Sequence, residues 1–402
     1  LEKFTHNVCR YRKVYSVREY AEIGIGREAR RTYGLEDISI IPTRRTRSSK
    51  DVDTTWSIDA YHFDIPVCSH ASDALASPEF IIEMGKQGGL GIINAEGLWG
   101  RVDDLAGAVE AVTKAENPTE HLQELHALPL DVELLARRIA EVRESGVTVA
   151  VRVSPQRARE LAPKVIAAGT EILVIQGTLI SAEHVSADGE PLNLKEFIGS
   201  LEVPVIAGGA VDYTTALHLM RTGAAGVIVG GGVNTNDISL GINVPKATAI
   251  ADIAAARRDY LDETGGRYVH ILADGMLANA GDIVKAIACG ADAVVLGPLL
   301  AQAEEAPAGG WFWPSVAGHP SFPRGYVEIY SDIELGEGFS GEDRAFDPTT
   351  VVPKNSPLEV VLHGPSSDPF GRQNLVGGLR RAMAKCGYTD LKAFQKVDLA
   401  VH

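Results

Sequence analysis

Four times along this chain a short apolar run, a turn, a helical stretch, a glycine and a second apolar run follow one another. Residues 64–91 lead through this phrase into Ile92-Ile93, and residues 147–177, 203–232 and 269–297 repeat it. A repeat at a fixed period constrains a fold more than any local propensity. The apolar runs are short and rich in β-branched residues, as parallel strands buried on both faces are. Parallel neighbours need a crossover of about a dozen residues or more, which the helical stretches provide. The predicted strands are Ile65–Ser69, Leu90–Ile93, Val147–Val153, Ile172–Ile175, Val203–Ala207, Gly226–Val229, Val269–Ala273 and Ala293–Leu296. Eight such strands separated by helices predict an α/β protein with a (β/α)8 TIM barrel, a fold of about 250 residues before insertions. The rival, a doubly wound open sheet, would not normally repeat one double unit four times.

Helix boundaries are legible in several places. Ser77-Pro78-Glu79 combines a hydroxyl cap with proline at the first helical position. Residues 131–145 place Leu134, Leu135, Ile139 and Val142 on one face, and residues 248–263 read as a further helix. Gly290 closes the helix that carries Ile283, Ala286 and Ile287. Outside the repeat, residues 1–30 read as a polar, basic arm, and residues 31–402 as one barrel domain. Residues 307–374 are rich in Gly, Pro, Ser and Asp and form a long insertion with a strand-like piece at 325–330. A loop that long in a compact protein is commonly functional. Trp311, Phe312 and Trp313 within it read either as anchors for a second subunit or as local packing.

The net charge of −15 argues against a nucleic-acid or acidic-membrane surface. It leaves room for a phosphorylated small molecule, which backbone N–H groups can hold without a basic patch. Cys9, Cys68, Cys289 and Cys386 show neither disulfide nor metal spacing, so a cytoplasmic protein with reduced thiols and no metal site is expected. No apolar run has the roughly 18 residues of a membrane span, and no signal-peptide core is present.

Barrel chemistry sits at the C-terminal ends of the strands. That places Ser69, Asp73, Asn94, Gln176, Gly209, the loop Gly230–Asp237, Asp274-Gly275 and Gly297 at the candidate site. Any one of these glycines could merely allow a tight turn. Glycine loops after three neighbouring strands favour a phosphate cradle, where side chains would obstruct converging N–H groups. Asp274 is suited to accept hydrogen bonds from sugar hydroxyls, or else caps the helix that follows.

The segment ILADGMLANAGDIVKAIACGADAVVLGPLLAQAEEAP resembles the strand-seven-to-eight signature of the IMP dehydrogenase/GMP reductase family. VPVIAGGAVDYTTALHLMRTGAAGVIVGGG is similar to its strand-five-to-six unit. YGLEDISIIP, IPVCSHASDALAS, GGLGIINAEG, VPKATAIAD and LVGGLRRAMAKCGY resemble further segments in the same order. The similarity runs from about residue 22 to the end, without the paired CBS modules common in the family, as in its short branch. The resemblance implies a purine nucleoside monophosphate (IMP, XMP or GMP) and NAD or NADP. Gly231, Gly232, Gly275 and Gly297, with Ser69, would hold the phosphate, and Asp274 the ribose. Ser72 would face the base where the family usually has Met. Gln176, Gly177 and Thr178, with Gly209 beside them, would meet the cofactor. It also implies a homotetramer or octamer.

The departures concern the chemistry. The family's nucleophilic Cys follows strand six; here one alignment puts Asn234 at that position and another puts Asp237, with Thr235 between them. An amide cannot form the family's thioimidate. Met276 and Pro298 replace a phosphate-loop Gly and Ser, and Pro298 also lacks an N–H. The altered loop leaves the family's monovalent-cation site unsupported, and the flap's Arg-Tyr pair is not recognisable. Glu305 matches the family's acid after strand eight. It is expected either to activate water or a leaving amine, or to cap the helix after that strand. The resemblance implies an oxidoreductase interconverting purine nucleotides; the alternative is a catalytically impaired nucleotide-binding sensor or partner of the same fold. An isomerase or synthase acting on a phosphorylated sugar is a third, which the family resemblance disfavours.

Overall fold

The structure, a computed structural model, describes residues 19–181, 192–329 and 356–402. Its centre is one parallel sheet of eight strands. In chain order these are β1 (Val67–Ser69), β2 (Ile92–Asn94), β3 (Ala150–Val153), β4 (Ile172–Gln176), β5 (Val205–Ala210), β6 (Gly226–Val229), β7 (His270–Asp274) and β8 (Ala293–Leu296). Each pairs with its sequence neighbour from β2 through β8, and β8 pairs with β1. Between β1 and β2 the seam is short: Cys68 bridges Leu90 in parallel register, and Ser69 N–H donates to the Leu90 carbonyl at 2.9 Å. That bridge brings the sheet round to a nearly closed barrel. The strand residues are buried almost throughout, which is why they read as apolar runs without alternation.

The helices close where the sequence places their caps. Helix α1 (Pro78–Lys86) starts from Ser77, whose Oγ accepts from Phe80 N–H at 3.1 Å. Helix α2 (Val132–Glu144) is capped by Asp131 and buries Leu135, Ile139 and Val142, while Leu134 is half-buried. It is preceded by two extra helices, Leu105–Lys114 and Pro118–His126. The outer layer continues with α3 (Ala158–Ala167), α4 (Leu194–Gly199), α5 (Tyr213–Arg221), α6 (Lys246–Thr264), α7 (Ala280–Ala288) and α8 (Leu375–Lys385). Asn279 caps α7 by accepting from Asp282 N–H, so Asp274 is not used for that purpose.

The flanks differ from the sequence reading at two hairpins and at the strand in the insertion. Within the expected N-terminal arm, Tyr20–Gly24 and Arg27–Arg30 form an antiparallel hairpin, tethered to α6 by an Arg30–Asp252 ion pair. In the long insertion, only Glu328–Ile329 of the expected strand pairs, against Trp311–Phe312; Tyr330 lies outside the described residues, as do residues 331–355. Phe312 and Trp313 are buried within their own chain, the local-packing alternative for those two, while Trp311 is half-buried. A hairpin of Trp56–Ile58 and Tyr61–Phe63 seals the N-terminal end, with Ile58 fully buried against Gly226 at the start of β6.

Candidate active site

The strand C-termini converge on a cavity of about 300 Å³. Its walls include Thr178 and Leu179 after β4, Val211 after β5, Gly230–Asn234 with Asn236 and Asp237 after β6, and Lys246 at the start of α6. Asp274 and Met276 complete it from β7. Of the sequence-derived candidates, the structure therefore brings Thr178, Gly231, Gly232, Asn234, Asp237 and Asp274 to one cavity.

Asp274 is fixed from two sides. Its Oδ2 accepts from the Gln176 side-chain amide at 2.7 Å, and its Oδ1 from Gly275 N–H at 2.7 Å. Gln176 is in turn held by Arg152, whose Nη2 donates to the Gln176 carbonyl at 2.8 Å. Arg152 is buried beside Glu96 and Asn94; burial lowers its pKa, an effect opposed by Glu96 and Asp73. The Gln176 amide thus spans the barrel mouth toward Asp274. Such a network holds a carboxylate in one rotamer and leaves its remaining lone pairs for a ligand.

The glycine loops divide. Gly230, Gly232 and Gly275 have φ values of 94°, 76° and 118°, a region side chains disfavour. A Cβ at Gly231 would overlap the Thr178 carbonyl, and one at Gly275 would overlap the Lys246 ammonium. Gly297 differs. It lies under the Phe312 ring, 2.6 Å from where its Cβ would be, so packing, not an open anion cradle, is what requires glycine there. Gly209 is likewise demanded by contact, because a Cβ would strike the Gly230 carbonyl; Gly177 exchanges backbone hydrogen bonds with Gly208 and Gly209 beside it.

Other candidates are engaged elsewhere. Ser69 Oγ accepts from Ile92 N–H at 3.1 Å in the barrel wall. Ser72 Oγ donates to the Trp313 carbonyl instead of facing a base. Asp73 pairs with His126 at 3.2 Å and accepts from Leu98 N–H. Glu305 Oε2 accepts from Leu358 N–H at 2.8 Å; it caps a helix, but the helix Leu358–His363 and not one directly after β8. Thr235 precedes the short helix Asn236–Leu240 without a side-chain cap bond. Asn234 staples its own loop: Nδ2 donates to the Gly231 and Gly232 carbonyls at 2.7 and 3.2 Å, and Oδ1 accepts from Asn236 N–H at 2.9 Å.

Two residues escaped the sequence reading. His70 is buried with Nδ1 unpartnered, 3.6 Å from Asp274 Oδ2 and close beside Gly232. Lys246 lines the cavity and donates to the Asp274 carbonyl. Desolvation lowers the Lys246 pKa, partly offset by Asp274, Asp282 and Glu36. Both were visible in principle, His70 directly after β1 and Lys246 as the one cation opening an alanine-rich helix.

Comparison with known proteins decides the family. The IMP dehydrogenase/GMP reductase domain model matches residues 32–401. The chain belongs to the IMP dehydrogenase/GMP reductase family. A crystal structure of an IMP dehydrogenase/GMP reductase-like protein from Corynebacterium glutamicum is 64% identical, with a TM-score of 0.87, covering 95% of this chain and 98% of that one. An uncharacterized oxidoreductase from Mycolicibacterium smegmatis is 61% identical over 94% of this chain and 99% of its own length. An inosine-5′-monophosphate dehydrogenase from Methanocaldococcus jannaschii is 24% identical over 92% of each. Among the described residues no helix is long and apolar enough to cross a membrane, and no cluster of three or more His, Cys, Asp or Glu is placed to hold a metal ion.

Proposed function

We propose that this chain binds a purine nucleoside monophosphate (IMP, XMP or GMP) at the barrel mouth, keeping the family's nucleotide site without its thiol chemistry. The observation that carries this reading is Asp274, held by Gln176 and Gly275 N–H at the edge of a cavity floored by Gly230–Gly232. A buried carboxylate with its rotamer fixed is suited to a ribose diol, and the adjoining glycine turns to a phosphate.

The β6 loop supports the second half of the proposal. Asn234 is tied to its own backbone, and Asp237 lies on the exposed lip, paired with Asn243 at 3.2 Å. Neither is a thiol, and the amide of Asn234 is not a nucleophile. Cys68 is buried in β1, where desolvation raises its pKa strongly, far from thiolate character at neutral pH.

The cavity extends over Thr178, Leu179 and Val211, two apolar side chains and one hydroxyl. These residues, with Gly177 and Gly209 shaping the backbone behind them, would hold a nicotinamide cofactor. NAD or NADP bound there supplies a hydride acceptor or donor. The second reading is therefore an oxidoreductase on purine nucleotides that works without a loop thiol. A homotetramer or octamer accompanies both readings through the family resemblance, and a cytoplasmic location through the unpaired cysteines.

Calorimetric titration with IMP, GMP and XMP tests binding. Absorbance at the reduced-nicotinamide band, with NAD and with NADPH, separates the readings. Saturable binding without turnover supports the proposal; absence of binding by all three nucleotides overturns it, and robust turnover favours the second reading.

A further inference from the structure

We propose that Lys246 is the cationic anchor for the nucleotide's phosphate, an inference that rests on the nucleotide reading above. Three observations lead to it. The ammonium lies in the angle between the two glycine turns of the site: a Cβ at Gly275 would overlap it, and that same position is 3.7 Å from the Gly232 carbonyl. The side chain also forms part of the cavity wall and is half-buried.

The hydrogen-bond inventory is incomplete in a way that points outward. An ammonium has three N–H donors. One goes to the Asp274 carbonyl. Among the described residues Lys246 has no carboxylate partner within 4.0 Å; Asp274, Asp282 and Glu36 act on it only through the longer-range field. Two other buried cations are paired directly, Arg257 with Asp292 at 2.7 Å and Arg372 with Asp368 at 2.9 Å. A desolvated cation without a contact anion is costly, and an incoming phosphate dianion would relieve that cost.

The third observation is what the cradle lacks. Met276, next in the chain after Gly275, places an exposed thioether side chain at the cavity. Gly297 is covered by Phe312, and Pro298 has no N–H to offer. Where Gly297 is covered and Pro298 cannot donate, a side-chain cation supplies what the backbone there does not. Lys246 is the cation that lines this cavity; His70, beside Gly232, is the neighbouring titratable group.

The test compares IMP with inosine, which lacks the phosphate, on the full chain and on Lys246→Met and Lys246→Gln. The wild type is expected to prefer IMP, and each variant to lose IMP affinity at least tenfold while inosine affinity holds, so that the preference collapses. Unchanged IMP preference in either folded variant overturns the inference and leaves the nucleotide reading intact. Wild-type protein that binds none of IMP, GMP and XMP overturns that reading first and this inference with it. Should both variants fail to fold, the unmodified protein still decides. IMP, and not inosine, is expected to shield Lys246 from cyanate modification, read by peptide mass spectrometry. Equal shielding by the two, or none by IMP, overturns the assignment.

Discussion

The two ends of the barrel treat buried charge in opposite ways. At the N-terminal end, Asp292 stands just before β8 and is saturated with partners. Arg257, Lys392 and the Tyr268 hydroxyl reach it at 2.7, 2.8 and 2.7 Å, Ile271 N–H donates at 2.9 Å and Gln395 at 3.1 Å. Burial alone would raise its carboxyl pKa, but Arg257, Lys392 and His270 together hold it below the usual carboxylate range. At the C-terminal end, Lys246 has one hydrogen bond, and His70 Nδ1 and Asn94 Nδ2 have none. The first arrangement ties α6, β7, β8 and the last helix, Leu391–Phe394, to one carboxylate. The second leaves Lys246, at the cavity wall, with donors to spare, and two buried nitrogens without a partner. Asp292 at the bottom is saturated by the fold itself, whereas at the top the Arg152–Gln176–Asp274 network is engaged and Lys246 beside it is not fully so, at the end of the barrel where ligands bind.

The largest effect expected from breaking this contrast is at Asp292. Removing one member of a buried, hydrogen-bonded pair leaves the other charge uncompensated, at a cost of roughly 3–5 kcal/mol. Asp292→Ala should lower the free energy of unfolding by about that amount in denaturant titration, while IMP affinity of the folded fraction stays as in wild type. A loss below about 1 kcal/mol would mean that Arg257 and Lys392 find water or other partners, and that the saturation is incidental.

His270 makes the N-terminal end less uniform. It opens β7 between Tyr268 and Trp56, with ring centroids 5.0 and 6.1 Å away, and its Nδ1 is buried without a partner. Desolvation lowers its pKa from 6.5 to about 4, although Asp292 pulls the other way. Between those values the unfolded chain binds the proton that the folded chain refuses, so stability rises with pH through that window and falls on acidification. A shift of this size corresponds to at most about 3 kcal/mol. Carboxylates titrate there as well, so the informative quantity is the difference between wild type and His270→Asn. That difference is expected to shrink the acid-induced loss between pH 6.5 and 4; parallel curves would remove His270 from the account.

At the C-terminal end the expected losses are in binding more than in stability. Gly275 has φ of 118°, and a side chain there meets the Lys246 ammonium. Gly275→Val should cost about 1–3 kcal/mol of stability through backbone strain. It should also abolish measurable IMP binding by filling the angle between the glycine turns. A folded Gly275→Val protein that binds IMP as tightly as wild type would move the phosphate away from this loop.

The sequence disclosed the barrel because its strands are buried on both faces, and that requirement writes a continuous apolar run at each strand. β6 and β8 fell on the expected residues, and each of the others differs at one end or both by one to three residues. Asp274 and the Gly230–Gly232 loop were legible because strand ends and positive φ leave a local mark. What stayed hidden was contact between residues distant in sequence. Gly297 reads as a phosphate glycine until Phe312 is seen covering it, Ser72 reads as a ligand group until its hydroxyl meets the Trp313 carbonyl, and Glu305 is engaged by Leu358. Lys246 was passed over for the same reason, since 28 residues separate it from the carbonyl it touches.

The smallest stability change is expected at Asn234, and it bears most directly on chemistry. The side chain replaces any nucleophile with a staple, two donated bonds to the Gly231 and Gly232 carbonyls and one accepted from Asn236. The site is half-buried, so water can satisfy part of what is lost, and Asn234→Ala should cost only about 1–2 kcal/mol. Its effect on IMP affinity should exceed that on stability, because the same carbonyls shape the turn beneath the ligand. Asn234→Cys removes the staple along with the amide, so a thiol there is expected to capture a 6-chloropurine nucleotide slowly. Asp237→Cys, on the cavity lip with the staple intact, should capture it faster. Intact-mass measurement of both adducts ranks them. Faster capture at residue 234 would mean that the loop holds its shape without Asn234. NAD-dependent conversion of IMP to XMP by the unmodified chain, at a rate well above background, would mean that the exposed Asp237 or the buried His70 supports a route needing no thiol at all.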